Sequence, residues 1–298
     1  MTQRIDRCFT SAGADGKTVL IPFITAGDPR PSWTVSLMHA LVDAGANLLE
    51  LGIPFSDPMA DGPVIQASSE RAVEKGVNLK TVLGWVRQFR NKDPDTPVVL
   101  MGYLNPFERF GYESLARETA GAGVDGLLLV DCPPEEMQEL QKSLDEHHVY
   151  SIRLVAPTTT ENRLQDIVHD ACGFIYYVSF KGITGAGRLD TGALAAPIQL
   201  IRENCALPVA VGFGITDAQS AVAVARNADA VVIGSALVAQ LNECNELEEA
   251  VACAHQFISS VRKALDAEQI DSGQVDSEQV DSEQVDSEQI GSGTSAEI

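Results

Sequence analysis

Eight short apolar runs, each followed by a segment with helical spacing, constrain this chain more than any other feature. The runs read as strands over 18–25, 47–53, 97–103, 124–130, 149–155, 173–179, 208–213 and 229–233. Most are apolar on both faces, and strands covered on both faces are those of parallel sheets. Helical patterns follow over 32–44, 64–75, 79–91, 107–120, 133–147, 160–169, 193–204 and 217–227, and again from 235 to 265. Another helix, over about 3–12, precedes the first strand. Eight strand-then-helix units with short connections predict a (β/α)8 TIM barrel, a fold that takes about 250 residues as one domain.

The barrel pattern therefore fills 1–265 as one catalytic domain. Residues 266–298 are different: 268–292 reads EQIDS GQVDS EQVDS EQVDS EQIGS, a five-residue repeat with eight acids. That period gives neither a helix face nor a strand face, and its few apolar groups do not offset the entropy of ordering. A disordered, dispensable acidic tail is expected. Ten acids and no Lys or Arg lie beyond residue 263, so the formal net charge of −21 leaves about −11 for the barrel. An acidic body with a more acidic tail argues against nucleic acid or an anionic membrane as partner. Six scattered cysteines without a C-x-x-C read as free thiols in a reducing compartment. The five histidines have no metal-ligand spacing. Without a signal core or ~18 consecutive apolar residues, the chain reads as soluble and cytoplasmic.

Chemistry concentrates in the second unit. Leu48-Leu49-Glu50-Leu51-Gly52-Ile53 puts one carboxylate inside an apolar strand. Burying an unpaired charge there is costly, so the Glu50 pKa should be raised. The following loop, braced by Pro54, Pro58 and Pro63, carries Ser56, Asp57 and Asp61, with Asp61 near the cap of the next helix. A buried acid beside a better-solvated one is an arrangement that separates pKa values for acid/base work.

Active sites of such barrels lie at the C-terminal ends of the strands. That rule gathers Glu50, Asp61, Tyr103, Asn105, Leu128, Val130 and Tyr176 as candidates. It adds the glycine-rich loop 180–187, Phe213 and Gly214 after the seventh strand, and Gly234 and Ser235 after the eighth. Glycines there let backbone N–H groups approach an anion, which a helix N-terminus also favours, and Ser235 adds a hydroxyl. The loop after the sixth strand has the composition of a mobile lid, and equally that of a plain surface loop.

Three strings carry a resemblance: Pro22-Phe23-Ile24-Thr25-Ala26-Gly27-Asp28-Pro29, the run from Glu50 to Pro63, and Gly212-Phe213-Gly214-Ile215. Over residues 9–265 the chain resembles the tryptophan synthase α subunit family. The resemblance implies retro-aldol cleavage of indole-3-glycerol phosphate to indole and glyceraldehyde 3-phosphate, in the last steps of L-tryptophan biosynthesis. It implies no cofactor in this chain, and a β subunit partner in an α2β2 heterotetramer that takes indole through a tunnel to pyridoxal phosphate. By position, Glu50 falls on the family's acid/base glutamate, Asp61 on the indole-nitrogen partner and Tyr176 on the active-site tyrosine. Phe23 falls on an aromatic of the indole pocket, and Gly185, Gly214, Gly234 and Ser235 on the phosphate set. Thr184 falls on the lid threonine, and Asp57 and Pro58 on the loop that signals to the partner. The lid start Ser179-Phe180-Lys181-Gly182, the pocket residues Met101 and Val130, and the acidic tail depart from the family pattern.

The residues suit that chemistry independently. A neutral Glu50 is a competent donor to indole C3, its conjugate base can accept the side-chain hydroxyl proton, and an ionised Asp61 can steady the charge developing on the ring N–H. Two rival readings use the same chain. One is a Schiff-base aldolase with Lys181 as nucleophile, weakened because Lys181 lies in a loop rather than a desolvated strand. The other is a non-catalytic barrel that activates a partner, against which Glu50 and Asp61 both argue.

Overall fold

A computed structural model describes residues 3–178, 192–212 and 214–288, without side chains for 192–193 and beyond 268. Lys181, Thr184 and Gly185 of the 180–187 loop, Phe213, and residues 289–298 lie outside the described residues. The elements in order are α1 (Arg4–Ala14), β1 (Val19–Thr25), α2 (Thr34–Asp43), β2 (Leu49–Gly52), α3 (Pro63–Glu74), α4 (Leu79–Arg90), β3 (Val98–Gly102), α5 (Leu104–Glu108) and α6 (Tyr112–Ala122). Then come β4 (Gly126–Leu129), α7 (Gln138–Glu146), β5 (Tyr150–Val155), α8 (Glu161–Val168), β6 (Ile175–Val178), α9 (Gly192–Asn204), β7 (Val209–Gly212), α10 (Ala218–Ala225), β8 (Ala230–Ile233), α11 (Ser235–Asn242) and α12 (Leu247–Glu288). The strands pair in parallel in chain order, and β8 returns to β1, so the expected barrel closes.

Side chains alternate along each strand. One set points outward against the helices: Leu20, Leu49, Leu51, Leu100 and Val231 belong to the large cluster shared with Leu37, Leu41, Val82 and Ile258. The other set fills the barrel, with Val19, Ile21, Leu48, Val99, Leu128, Ile152, Tyr176, Ala210 and Val232 in one cluster. Ile5, Phe9 and Ala12 of α1 belong to that interior cluster, so α1 plugs the N-terminal end. Since Leu48 points inward, Glu50 two residues later points inward as well.

Three details differ from the sequence reading. The helix expected over 107–120 is divided into α5 and α6, because Gly111 adopts a φ of 82° between them. The helix expected over 133–147 begins as a 3₁₀ turn, Pro134–Glu136, before α7. The backbone of α12 continues to Glu288, into the repeat, although the last residue it buries among the described ones is Leu265. Its packed stripe, Ala250, Ala254, Ile258, Val261 and Leu265, ends where the barrel pattern ends.

Candidate active site

Strand β2 places Glu50 between β1 and β3, in register with Phe23 on one side and Val99 on the other. Only 2% of Glu50 is exposed, and its Oε2 has no hydrogen-bond partner among the described residues. Burial, reinforced by the charge of Asp61, pushes its carboxyl up to about 8. At neutral pH the group is therefore mostly protonated, a proton donor held inside an apolar wall.

Asp61 ends the loop that follows β2. It does not cap α3, as the sequence suggested: the capping position belongs to Gly62, and no side chain bonds there. Instead the Tyr103 hydroxyl donates to Asp61 Oδ2 at 2.9 Å and accepts from the Ala60 N–H at 2.9 Å. Burial raises the Asp61 pKa, and the Tyr103 bond opposes part of that rise while it holds the carboxylate in place. Ser69 of α3 pins the same loop twice, accepting from Phe55 N at 2.8 Å and donating to Phe55 O at 2.9 Å. Sequence reasoning missed Ser69 and took Tyr103 only for a substrate contact. A hydroxyl nearly two helical turns into α3, facing a proline-braced loop, was the available signal.

Two glycines make room for the aromatic walls. A Cβ on Gly52 would stand 2.5 Å from Phe23 Cζ, and one on Gly212 would stand 2.1 Å from the Tyr176 hydroxyl. Burial, then the charges of Glu50 and Asp61, raise the Tyr176 phenol well above its ordinary value, so it stays neutral beside them. Phe23, Ile53, Asp61, Met101, Tyr103 and Val130 line one cavity at the C-terminal mouth of the barrel. Leu128 stays in the packed interior below it, in register with Met101. Gly214 has a φ of 77°, and Gly234 and the exposed Ser235 open α11, with no side-chain cap on its first N–H groups. Asp57 is exposed on the loop, next to Met59, which is 83% exposed.

A parallel eight-stranded barrel with a buried proton donor, a second carboxylate at its mouth and an uncapped helix start beyond β8 has the frame of a lyase for a phosphorylated substrate. Comparison with known proteins is specific. The family profile described as tryptophan synthase alpha chain matches residues 9–267. A relative of that name from Ralstonia nicotianae is 55% identical over 264 residues, 89% of this chain and 99% of its own. Another from Laribacter hongkongensis is 54% identical over 268 residues, again 89% and 99%. The crystal structure of tryptophan synthase subunit alpha from Legionella pneumophila superimposes with a TM-score of 0.84 at 44% identity, covering 90% of this chain and all of that one. The chain belongs to the tryptophan synthase alpha chain family. It is a lyase that cleaves indole-3-glycerol phosphate to indole and glyceraldehyde 3-phosphate in L-tryptophan biosynthesis, and the family works with a β subunit. No helix among the described residues is long and apolar enough to cross a membrane.

Proposed function

We propose that Glu50 is the acid/base of this reaction and Asp61 the partner of the indole nitrogen. The observation that carries the assignment is Glu50 Oε2, buried and unpartnered among the described residues, on a carboxyl pushed up to about 8. Protonated Glu50 delivers its proton to indole C3, which makes the ring cationic and weakens the bond to the glycerol phosphate chain. The resulting carboxylate takes the proton of the side-chain hydroxyl as that bond breaks and the aldehyde forms, which restores the acid. Asp61, fixed by Tyr103, opposes the positive charge on the ring N–H while it lasts.

Phe23 and Met101 hold the indole ring, Leu128 supports the pocket floor, and Tyr176 stands beside Glu50 as a neutral phenol. The phosphate is taken by Gly214, Gly234 and Ser235, together with Gly185 and Phe213, and Thr184 closes over the site. Binding this non-reacting group orients the substrate. The chain itself carries no cofactor. Its partner is a β subunit holding pyridoxal phosphate, in an α2β2 assembly in the cytoplasm, and Asp57 and Pro58 face that partner.

The test is single-turnover release of indole. Glu50→Gln, of equal size, is expected to fold and bind substrate but lose roughly 10²–10⁴-fold in rate. A rate near that of the unmodified chain would remove Glu50 from the chemistry.

A further inference from the structure

Helix α3 starts just after Asp61 and carries two adjacent buried hydroxyls that are used differently. Ser68 Oγ donates to Ile65 O of its own helix at 2.8 Å and meets Thr25 Oγ1 of β1 at 2.6 Å, so it joins helix to strand. Ser69 directs both of its bonds to one loop residue, Phe55, 14 positions earlier. Accepting from the Phe55 N–H and donating to the Phe55 carbonyl holds the peptide groups on both sides of one Cα. That fixes the direction in which the Phe55 side chain leaves the loop.

The ring so directed packs on Tyr103, with centroids 5.3 Å apart and planes tilted by 31°. Tyr103 is in turn the residue whose hydroxyl holds Asp61 Oδ2 and the Ala60 N–H. A continuous series of contacts therefore runs from Ser69 through Phe55 and Tyr103 to Asp61, and Ser69 and Asp61 line the same cavity. The loop has few other means of keeping this shape. Pro54 and Pro58 bring no N–H to it, and Ser56, Asp57, Met59 and Ala60 are exposed. Gln66 of α3 holds only the distal part, at Pro58 O and Asp61 O.

We propose that Ser69 is a positioning residue for the lyase reaction: through Phe55 and Tyr103 it sets where the Asp61 carboxylate stands. This role rests on the assignment of Asp61 to the indole nitrogen. A carboxylate that opposes a charge present only while the ring is cationic acts through its position, and a displacement of about 1 Å can cost 10²-fold in rate. Without the Ser69 hydroxyl, the N–H and carbonyl of the half-buried Phe55 turn to water, and its ring loses its fixed seat on Tyr103.

The experiment is a double-mutant cycle on single-turnover indole release by the full chain, with Ser69→Ala, Asp61→Asn and the two together. Ser68→Ala serves as the control for loosening α3. Ser69→Ala is expected to lose roughly 10–10²-fold in rate while half-saturation moves by less than about threefold, because the Asp61 interaction strengthens in the transition state. In the Asp61→Asn background the same change is expected to cost less than about twofold, since no carboxylate remains to be positioned. Ser68→Ala is expected to lower the unfolding midpoint without that loss of rate. Ser69→Cys, close in size but a weak donor and acceptor, replaces Ser69→Ala if the latter does not fold. Equal losses in the two backgrounds, or equal losses for the two serines, would mean a structural role only and overturn the proposal. So would an unchanged Ser69→Ala rate beside a slow Asp61→Asn. If Asp61→Asn is itself as fast as the unmodified chain, the assignment of Asp61 fails first and the role of Ser69 fails with it.

Discussion

The two ends of the barrel treat a buried carboxylate in opposite ways. At the N-terminal end Asp125, 3% exposed, accepts from Arg4 Nη1 at 2.9 Å, from Arg90 Nη2 at 2.9 Å and from Val98 N at 2.8 Å. Both oxygens are used, and the bonds tie α1, α4 and β3 to the start of β4. At the other end Glu50 is as deeply buried but lacks a cation, and one of its oxygens has no partner among the described residues. Paired charge holds the fold, whereas an unpaired buried acid keeps its proton at neutral pH. Conserving energy at one end permits the other to be held in a costly state.

The contrast breaks most visibly at Asp125. Asp125→Asn leaves two arginines facing a neutral amide, and losing one partner of a buried pair typically costs about 3–5 kcal/mol. The unfolding midpoint is expected to fall by roughly 10 °C, while indole release per folded molecule at low temperature stays near that of the unmodified chain. A large loss of turnover in the folded protein would show that the two ends are not separable.

Glu50 should behave in the reverse sense. Below pH 4.5 its carboxyl is protonated in the folded and the unfolded chain. As the pH rises from 4.5 towards 8, the unfolded chain releases the proton and the folded chain keeps it. Its contribution to stability is therefore complete below 4.5 and is lost as the pH rises towards 8. Glu50→Gln lacks this loss. The variant is expected to be more stable than the unmodified chain by about 3 kcal/mol at pH 7, an upper figure from the shift itself, and equal to it near pH 4.5. Denaturant midpoints at the two pH values measure the difference; a variant less stable at pH 7 would contradict a neutral buried acid.

Asp57 sharpens the comparison at smaller scale, because it sits at the surface end of the segment whose other end holds Asp61. Ser56 Oγ donates to Asp57 Oδ2, and Gln66 Nε2 donates to Asp61 O at 2.8 Å, so the loop is stiff along its length. A partner that grips a stiff segment can bias the site at its far end, and couplings of this kind are worth about 1–3 kcal/mol. With the β subunit present, Asp57→Ala is expected to lose most of the stimulation of indole release and to keep the basal rate. Full stimulation, with complex formation verified separately, would take the loop out of the coupling route.

How much of this was legible beforehand follows from which interactions are local. The eight strands were readable because most are short apolar runs bounded by turn residues, and β1, β3 and β8 fall within one residue of their expected ends. Glu50 was readable for the same reason, as one charge inside such a run. The Asp61–Tyr103 bond was not, because the two residues stand 42 positions apart and meet only after β2 and β3 pair. Nor was the break at Gly111, since a glycine within a helical pattern is often tolerated and only its positive φ ends α5 and α6 as separate helices.

The smallest effect is expected where the chain leaves the barrel. Along α12 the buried residues end at Leu265. In the repeat, Ile270, Val275, Val280 and Val285 recur every five residues. Each step turns about 140° around a helix, so they form no stripe that a neighbour could cover. Arg226 Nε donates to Glu268 Oε1 at 2.7 Å, the last described side-chain contact, made by the first residue of the repeat. That pair is exposed, and exposed ion pairs contribute little because water and salt screen them. Truncation after Glu268 is therefore expected to leave the unfolding midpoint and indole release unchanged. Truncation after Ala267 adds only the loss of this pair, a shift of a degree or less that shrinks further in high salt. A drop of several degrees in the first truncation, but not with a scrambled tail of equal charge, would mean that the repeat docks on the barrel through its sequence. A drop that the scrambled tail reverses would instead assign the effect to charge, acting on the half of the molecule where carboxylates are paired.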